Sequence, residues 1–322
     1  MTNKWLPIVL VTFCVSSAAS AHDYNDTTVQ DQWFTGSLES PSPAIPKAGI
    51  LGVEPYLIFQ GNNGTYDANW ARHSVQHDSS QIQEATLLKY SITDQLSVQA
   101  VPVFAFTWNG QTTSQGVRIA DLPIEFDYRV INQNNKTGAP SVTFILGMSF
   151  PTGEYERLHS GLDGLGSGAF TAKEGVLLQS LFDTWDDHPL RLRFWGSVYE
   201  PLANAPVHDV SVYGTSQGFQ GNALPGISTQ AGIGAEYGLN QRWVLALDVV
   251  GNYADTAHLS GTDGYGNLVH TNLASSTSLA LAPALEYNWS DTLGIIGGVE
   301  FSAAGRNSAS YIAPQIALNL AF

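Results

Sequence analysis

The sequence predicts an all-β fold, a transmembrane antiparallel barrel of about twelve strands with ten to fourteen fitting the pattern. Three observations predict it. Apolar residues recur at every second position through most of the chain after residue 48. Short turns and long polar loops alternate between these runs. Aromatic rings form belts at both ends of the runs. With an even number of strands both termini fall at the same end, which this reading places in the periplasm.

The first element is a leader. MTNKWLPIVLVTFCVSSAASAHD has one early Lys, an apolar run from Trp5 to Val15, and small residues ending Ala19-Ser20-Ala21. This is the layout of a secretory signal peptide over residues 1–21, cleaved after Ala21. Phe13 before Cys14 does not suit a lipoprotein site. The remaining 301 residues hold no cysteine, so disulfides play no part in stability. They carry 12 basic against 28 acidic residues, a formal net of −16. Without a basic stripe to neutralise phosphates, nucleic acid is excluded as a partner. No later run of about 18 apolar residues offers a spanning helix.

Residues 22–47 form the second element, an extended periplasmic N-terminal segment. Pro41, Pro43 and Pro46 keep its second half extended. Two placements are open: a gate in the lower lumen anchored by Trp33 and Phe34, or a loose periplasmic arm.

Residues 48–322 are the barrel. Val142, Phe144, Leu146, Met148 and Phe150 alternate with Ser141, Thr143, Ile145, Gly147 and Ser149. Trp243, Leu245, Leu247 and Val249 alternate in the same way, as do Leu279 to Trp289. Period two fits strands and not helices. The pattern places strands near 48–60, 81–92, 95–108, 119–131, 140–150, 169–182, 189–201, 226–238, 242–254, 276–289, 293–304 and 309–322. Turns such as Thr93-Asp94 and Ser290-Asp291-Thr292 alternate with long loops rich in Gly, Asn, Asp, Ser and Thr, which predicts mobile, hydrated loops. Tyr90, Tyr128, Phe182, Tyr237, Trp243, Tyr287, Trp289 and Phe322 fall beside the short turns. Phe104, Phe106, Trp108, Phe150 and Tyr253 fall near the long loops.

Residues off the lipid face point into the lumen, because a charge at mid-bilayer is costly. Glu125, Asp127, Arg129, Arg191, Arg193, Glu236, Asp248, Glu286 and Glu300 are therefore the candidate lumen residues. Glu54, Tyr56, Gln60, Gln99 and Gln315 share their side, whereas the facing of Glu84 and Lys173 is open. Asp127, Arg129, Arg191, Arg193, Glu236 and Glu286 fall nearest the short turns. Such charges either sort solutes or brace the barrel by pairing.

An enzyme is not predicted. All eight histidines fall in loops, turns or the leading segment, so no rigid Ser-His pair assembles. His73 and His77 with Asp78 read as a solvated loop and not as a metal site. GLDGLGSG lacks the strand-to-helix context of a phosphate cradle. No cofactor is expected.

ILGVEPYLIF, YSITDQLSV and IADLPIEFDYRVI followed by MSFPTGE resemble, in order, the outer-membrane family named after the meta pathway of phenol degradation. The chain departs from that family's G-D-L element, with Ala120 before Asp121-Leu122, and GLGSGAF is a weaker echo. The resemblance implies an outer-membrane barrel acting as a channel or transporter of small molecules, with hydrophobic or aromatic compounds as the solute class. A surface-exposed structural or recognition barrel with a closed lumen, acting through its long loops, is the alternative. Ile316, Leu318, Leu320 and Phe322 line the oily face of the last strand and resemble the signal read by the outer-membrane assembly machinery. Expected partners are that machinery, outer-membrane lipids, lipopolysaccharide and a small-molecule solute.

Overall fold

The computed structural model describes residues 32–74, 79–134, 137–184 and 188–322, so the leader lies outside the described residues. Twelve strands close into an antiparallel barrel. They are β1 (Leu51–Tyr66), β2 (Ser80–Ser91), β3 in two pieces (Leu96–Ala100 and Val103–Trp108), β4 (Leu122–Ile131), β5 (Ser141–Phe150) and β6 (Thr171–Asp183). The second half is β7 (Pro189–Pro201), β8 (Ser228–Gly238), β9 (Trp243–Ala254), β10 (Ser276–Asn288), β11 (Leu293–Arg306) and β12 (Ser308–Ala321). Each strand pairs with its neighbours in sequence, and β1 pairs with both β2 and β12. The seam runs from Gly52 opposite Ala321 to Tyr66 opposite Ser308. The chain's last residue is tied in as well: Leu51 N–H donates to the Phe322 carbonyl at 3.1 Å, and Phe322 N–H returns a bond to Leu51 at 3.0 Å.

The alternation read from the sequence sorts side chains between the two faces. Leu57, Phe126, Phe144, Leu146, Phe194, Leu247, Leu285 and Ile316 point outward and are exposed, while their neighbours in sequence point inward. An unbroken belt of exposed Leu, Ile and Phe is a surface that water does not cover cheaply and a bilayer does. Rings mark its lower rim, where Trp243, Tyr287 and Trp289 stack in succession at centroid distances of 4.7 and 5.2 Å. At the upper rim Phe150 meets Phe170 edge-on, 5.9 Å between centroids.

Three features depart from the sequence reading. First, β1 continues to Tyr66, beyond the expected end near 60, because GNNGTY pairs with the start of β12 above the apolar belt. There the outward residues Gly61, Asn63 and Thr65 are small or polar, so no apolar alternation announces the strand. Second, β3 is interrupted at Val101-Pro102: proline has no N–H for the ladder, and beyond the break β3 pairs only with Arg118–Ile119 on the β4 side. Third, the long loops are not the mobile segments that composition predicts. Ala205–His208, Gln220–Leu224, Ala257–Thr262 and Leu268–Leu273 form a four-stranded antiparallel sheet that follows the order of β7 to β10. Val207, Phe219, Ala223 and Leu259 pack beneath it with Tyr213 as a separate small core. His208, His258 and His270 thus lie on strands and not in irregular loops, and His73 pairs opposite Thr65. These runs of four to six residues are too short, and too diluted by Gly, Asn and Thr, to show a period.

Leu247 sits on the lipid-facing wall near mid-strand. Leu247→Arg is expected to lower barrel stability by about 2–4 kcal/mol, measured by denaturant unfolding in lipid vesicles.

Candidate functional site: the lumen and the segment inside it

All nine candidate lumen residues are buried on the inner face, and most are already partnered. Arg191 grips Glu236 with both forks of its guanidinium, the Nε contact at 2.6 Å, and Arg193 adds a second cation 3.4 Å from the same carboxylate. Further round the wall, on β2, β4 and β6, Lys89 pairs with Asp127 at 2.7 Å and Lys173 with Glu125 at 2.5 Å. Gln99 also donates to Glu125, at 2.5 Å. Arg129 caps the Asp94 carbonyl in a short turn at 2.8 Å, and Glu300 accepts from the Tyr311 hydroxyl at 2.7 Å.

The two lysine pairs each reach across an intervening strand. Lys89 and Asp127 meet diagonally over β3, where Lys89 stands opposite Gln99 and Asp127 opposite Ser97. Glu125 and Lys173 meet over Gly147, where an added Cβ would lie 2.7 Å from the Cβ of Glu125. The glycine beneath the Glu125–Lys173 bridge lets that pair close. Lys89 was not legible as a lumen residue, because Leu87, Leu88, Lys89 and Tyr90 put an apolar side chain on both faces. Lys173, left open by the sequence, is now placed inward, whereas Glu84 faces outward beside Thr86, which donates to it.

The described part of the leading segment lies within the barrel, the first of the two placements that the sequence leaves open. It enters beside the short turn of β8 and β9, where Trp33 N–H bonds to the Gln241 carbonyl at 3.1 Å. Phe34 slides under the Arg191 guanidinium, 4.1 Å from ring centre to charge. Glu286 then accepts the Thr35 N–H at 2.7 Å, and the Thr35 hydroxyl donates to Asn288 at 2.7 Å. At the tip, Asp248 accepts from Glu39 N–H at 3.0 Å and from the Ser40 hydroxyl at 2.6 Å. Arg193 donates to the Ser40 carbonyl at 2.8 Å, and the Trp195 indole donates to the Ser40 hydroxyl at 3.1 Å. Gln315 holds the Glu39 side chain at 2.7 Å, and Thr143 bonds the Pro43 carbonyl at 2.9 Å. The chain leaves at Ala48, whose N–H bonds to Asp94 at 2.8 Å.

Glycines in the wall make room for this segment. A Cβ on Gly234 would strike the Ser40 hydroxyl at 2.4 Å, and one on Gly238 the Gln32 carboxamide at 2.3 Å. On β11, a Cβ at Gly294 would strike Thr35 Oγ1 at 2.0 Å and one at Gly298 the Leu38 Cδ1 at 2.7 Å. Each socket receives one named side chain. The signal was present in the sequence: Gly232, Gly234 and Gly238 are in phase with Glu236, so they share its inner face.

The outer rim is fixed by loop carboxylates. Asp121 accepts from Ser167 N–H at 2.7 Å, the Ser167 hydroxyl at 2.8 Å and Gly153 N–H at 3.0 Å. Burial raises its pKa, and these bonds offset part of the rise. Burial also pushes the Tyr213 phenol up; its hydroxyl donates to the Ser167 carbonyl at 2.5 Å. For Asp163 burial raises the pKa, but the Gln115 and Ser160 N–H donors and Arg118 together outweigh it and hold the carboxyl below its ordinary value.

Searches of family models and of curated protein sequences give no match to this chain. Solved structures do. An outer membrane channel from Pseudomonas putida F1 superposes over 87% of this chain and 97% of its own, with a TM-score of 0.63 at 13% identity. The chain shares the fold of an outer-membrane channel. The transport unit of the autotransporter AIDA-I from Escherichia coli covers 86% of this chain and 91% of its own, with a TM-score of 0.46 at 14% identity. The TodX monoaromatic hydrocarbon channel, in a deletion mutant, covers 92% and 97%, with a TM-score of 0.40 at 12% identity. At these identities the likeness concerns fold alone.

Two outcomes are expected. Gly234→Leu fills the Ser40 socket and unseats the segment; cleavage between residues 33 and 46 by added protease, with barrel strands intact, reports it. Asp163 has a folded pKa below its ordinary 3.8, so its contribution to rim stability is full above that value and is lost as pH falls through the folded one. Hydrogen exchange at Gln115 and Ser160 is expected to speed up only below that pH, and Asp163→Asn to abolish the step.

Proposed function

We propose that the protein is an outer-membrane channel for small, largely apolar solutes, exported by its leader and inserted with both termini in the periplasm. The observation that carries this reading is the inner wall at mid-height. Leu38 of the inner segment, Tyr56, Ile58, Leu87, Ile296 and Tyr311 form one buried apolar cluster there, where a channel for ions and sugars needs water. The fold shared with the Pseudomonas putida channel supports the same reading, and so does the family resemblance of the EPY, Asp121-Leu122 and PTG motifs. The lumen charges act as braces and as the seat of the inner segment, since Glu236, Asp248 and Glu286 are each occupied by an arginine or by that segment. Ile316 and Leu318 on β12 and Phe322 directly after it are exposed, and with Leu320 they provide the face for the assembly machinery to read. Lipids and lipopolysaccharide surround the outer wall.

In planar bilayers the wild-type protein is expected to conduct ions weakly, and a variant lacking residues 34–46 severalfold better. A strain lacking the protein is expected to take up apolar solutes more slowly. Unchanged uptake of every apolar solute tried would refute the channel and favour the alternative, a closed barrel acting through its loops.

A further inference from the structure

Buried acids outnumber buried bases where the inner segment is seated. Glu236 on β8, Asp248 on β9, Glu286 on β10 and Glu300 on β11 line one side of the lumen. Glu39 of the segment joins them, held by Gln315 on β12. None of these five carboxyls is more than 3% exposed. The cations facing them are Arg191 and Arg193 on β7, and both engage Glu236. With every acid ionised, five negative charges would share a closed space with two positive ones.

The contact between Glu236 and Glu286 shows how that excess is held. Glu286 spends Oε2 on the Thr35 and Gly36 N–H groups, at 2.7 and 3.3 Å. Its Oε1 is buried and takes no donor from the described residues. The side chain that Glu286 meets there is Glu236, another carboxyl. Two ionised carboxylates are both acceptors, so they bond to each other only when one carries a proton. Two guanidiniums grip Glu236, which leaves the proton to Glu286.

We propose that the inner segment is a proton-linked gate: seating it takes up protons, and withdrawing it releases them. This rests on the channel reading above and adds its regulation. With the segment in place, water is excluded from the acids, and uncompensated charge there is costly. With the segment withdrawn, water hydrates the carboxylates and screens them from one another, so the protons leave. The segment's own donors work against this. Thr35 and Gly36 N–H steady a charge on Glu286, and Glu39 N–H with the Ser40 hydroxyl steady one on Asp248. Such donors spread a charge without cancelling it, however, and the two arginines do not match five acids. Glu300 faces Asp248 and, through the Tyr311 hydroxyl, brings no cation to it. The charge count therefore sets the sign: the gate is held shut at low pH and loosens as pH rises.

The test measures conductance in planar bilayers from about pH 5 to about pH 8, where buried and coupled carboxyls titrate. At each pH the full chain is compared with the variant lacking residues 34–46, which cancels any effect of pH on the open pore. The ratio of full chain to deletion is expected to rise about tenfold over this range, the scale of one proton held one pH unit more tightly in the seated state. Glu286→Gln keeps an acceptor for Thr35 and offers Glu236 an amide donor, as the protonated acid does. It is expected to hold the ratio at its low-pH value throughout. Asp248→Asn is expected to lower the rise, and it carries the test alone should Glu286→Gln fail to show the heat-modifiable migration of a folded barrel. A wild-type ratio that is flat with pH, or a full rise in the folded variants, would overturn the gate while leaving the channel. No conductance from the deletion variant at any pH would overturn both.

Discussion

In hydrocarbon a backbone N–H or C=O has no water to bond, so a sheet in a bilayer must have no open edge. The rest of this structure depends on that requirement. It makes β12 meet β1, and it recruits the chain's last residue into the ladder through paired bonds between Leu51 and Phe322. It also fixes which side chains face lipid, since closure leaves each strand one outer and one inner face. Charges that lipid rejects are thereby concentrated in a narrow space. Their arrangement follows: buried charges must be paired or hydrogen-bonded, and the lumen residues bridge one another or take up the inner segment.

That second constraint links the wall to the segment. Asp248 and Glu286 lack the close arginine that Glu236 has; they satisfy themselves with backbone N–H and hydroxyl donors from residues 35 to 40. The segment in turn is a stretch of chain without secondary structure of its own, whose backbone would be unsatisfied if buried against apolar side chains. Wall carboxylates and segment amides are each other's solvent. Prolines at 41, 43 and 46 reduce the entropy lost on fixing it.

Much of the fold was legible because lipid exaggerates the period-two pattern: outside must be apolar and inside need not be. The twelve strands follow from this alternation and from the succession of turns and loops. Where the chain rises above the belt, the contrast disappears, and the end of β1 and the four-stranded outer sheet disappear with it. The inward direction of the lumen candidates follows by elimination from the lipid face, which missed Lys89. Whether they sort solutes or brace the barrel stayed open, because sequence period gives a side chain's direction but not its partner. Asp248 and Glu286 look like pore charges until the segment is seen between them. Only the in-phase glycines of β8 pointed to something lying against that wall.

Those glycines have a consequence for how such a chain can change over generations. Ser40, Thr35 and Leu38 each occupy the space of a missing wall side chain, so neither surface is free to drift alone. A larger residue in the wall is tolerable only with a smaller one in the segment, and the reverse. The inner segment and the cylinder around it are inherited as one unit, and exchange of such segments between otherwise similar barrels breaks both halves.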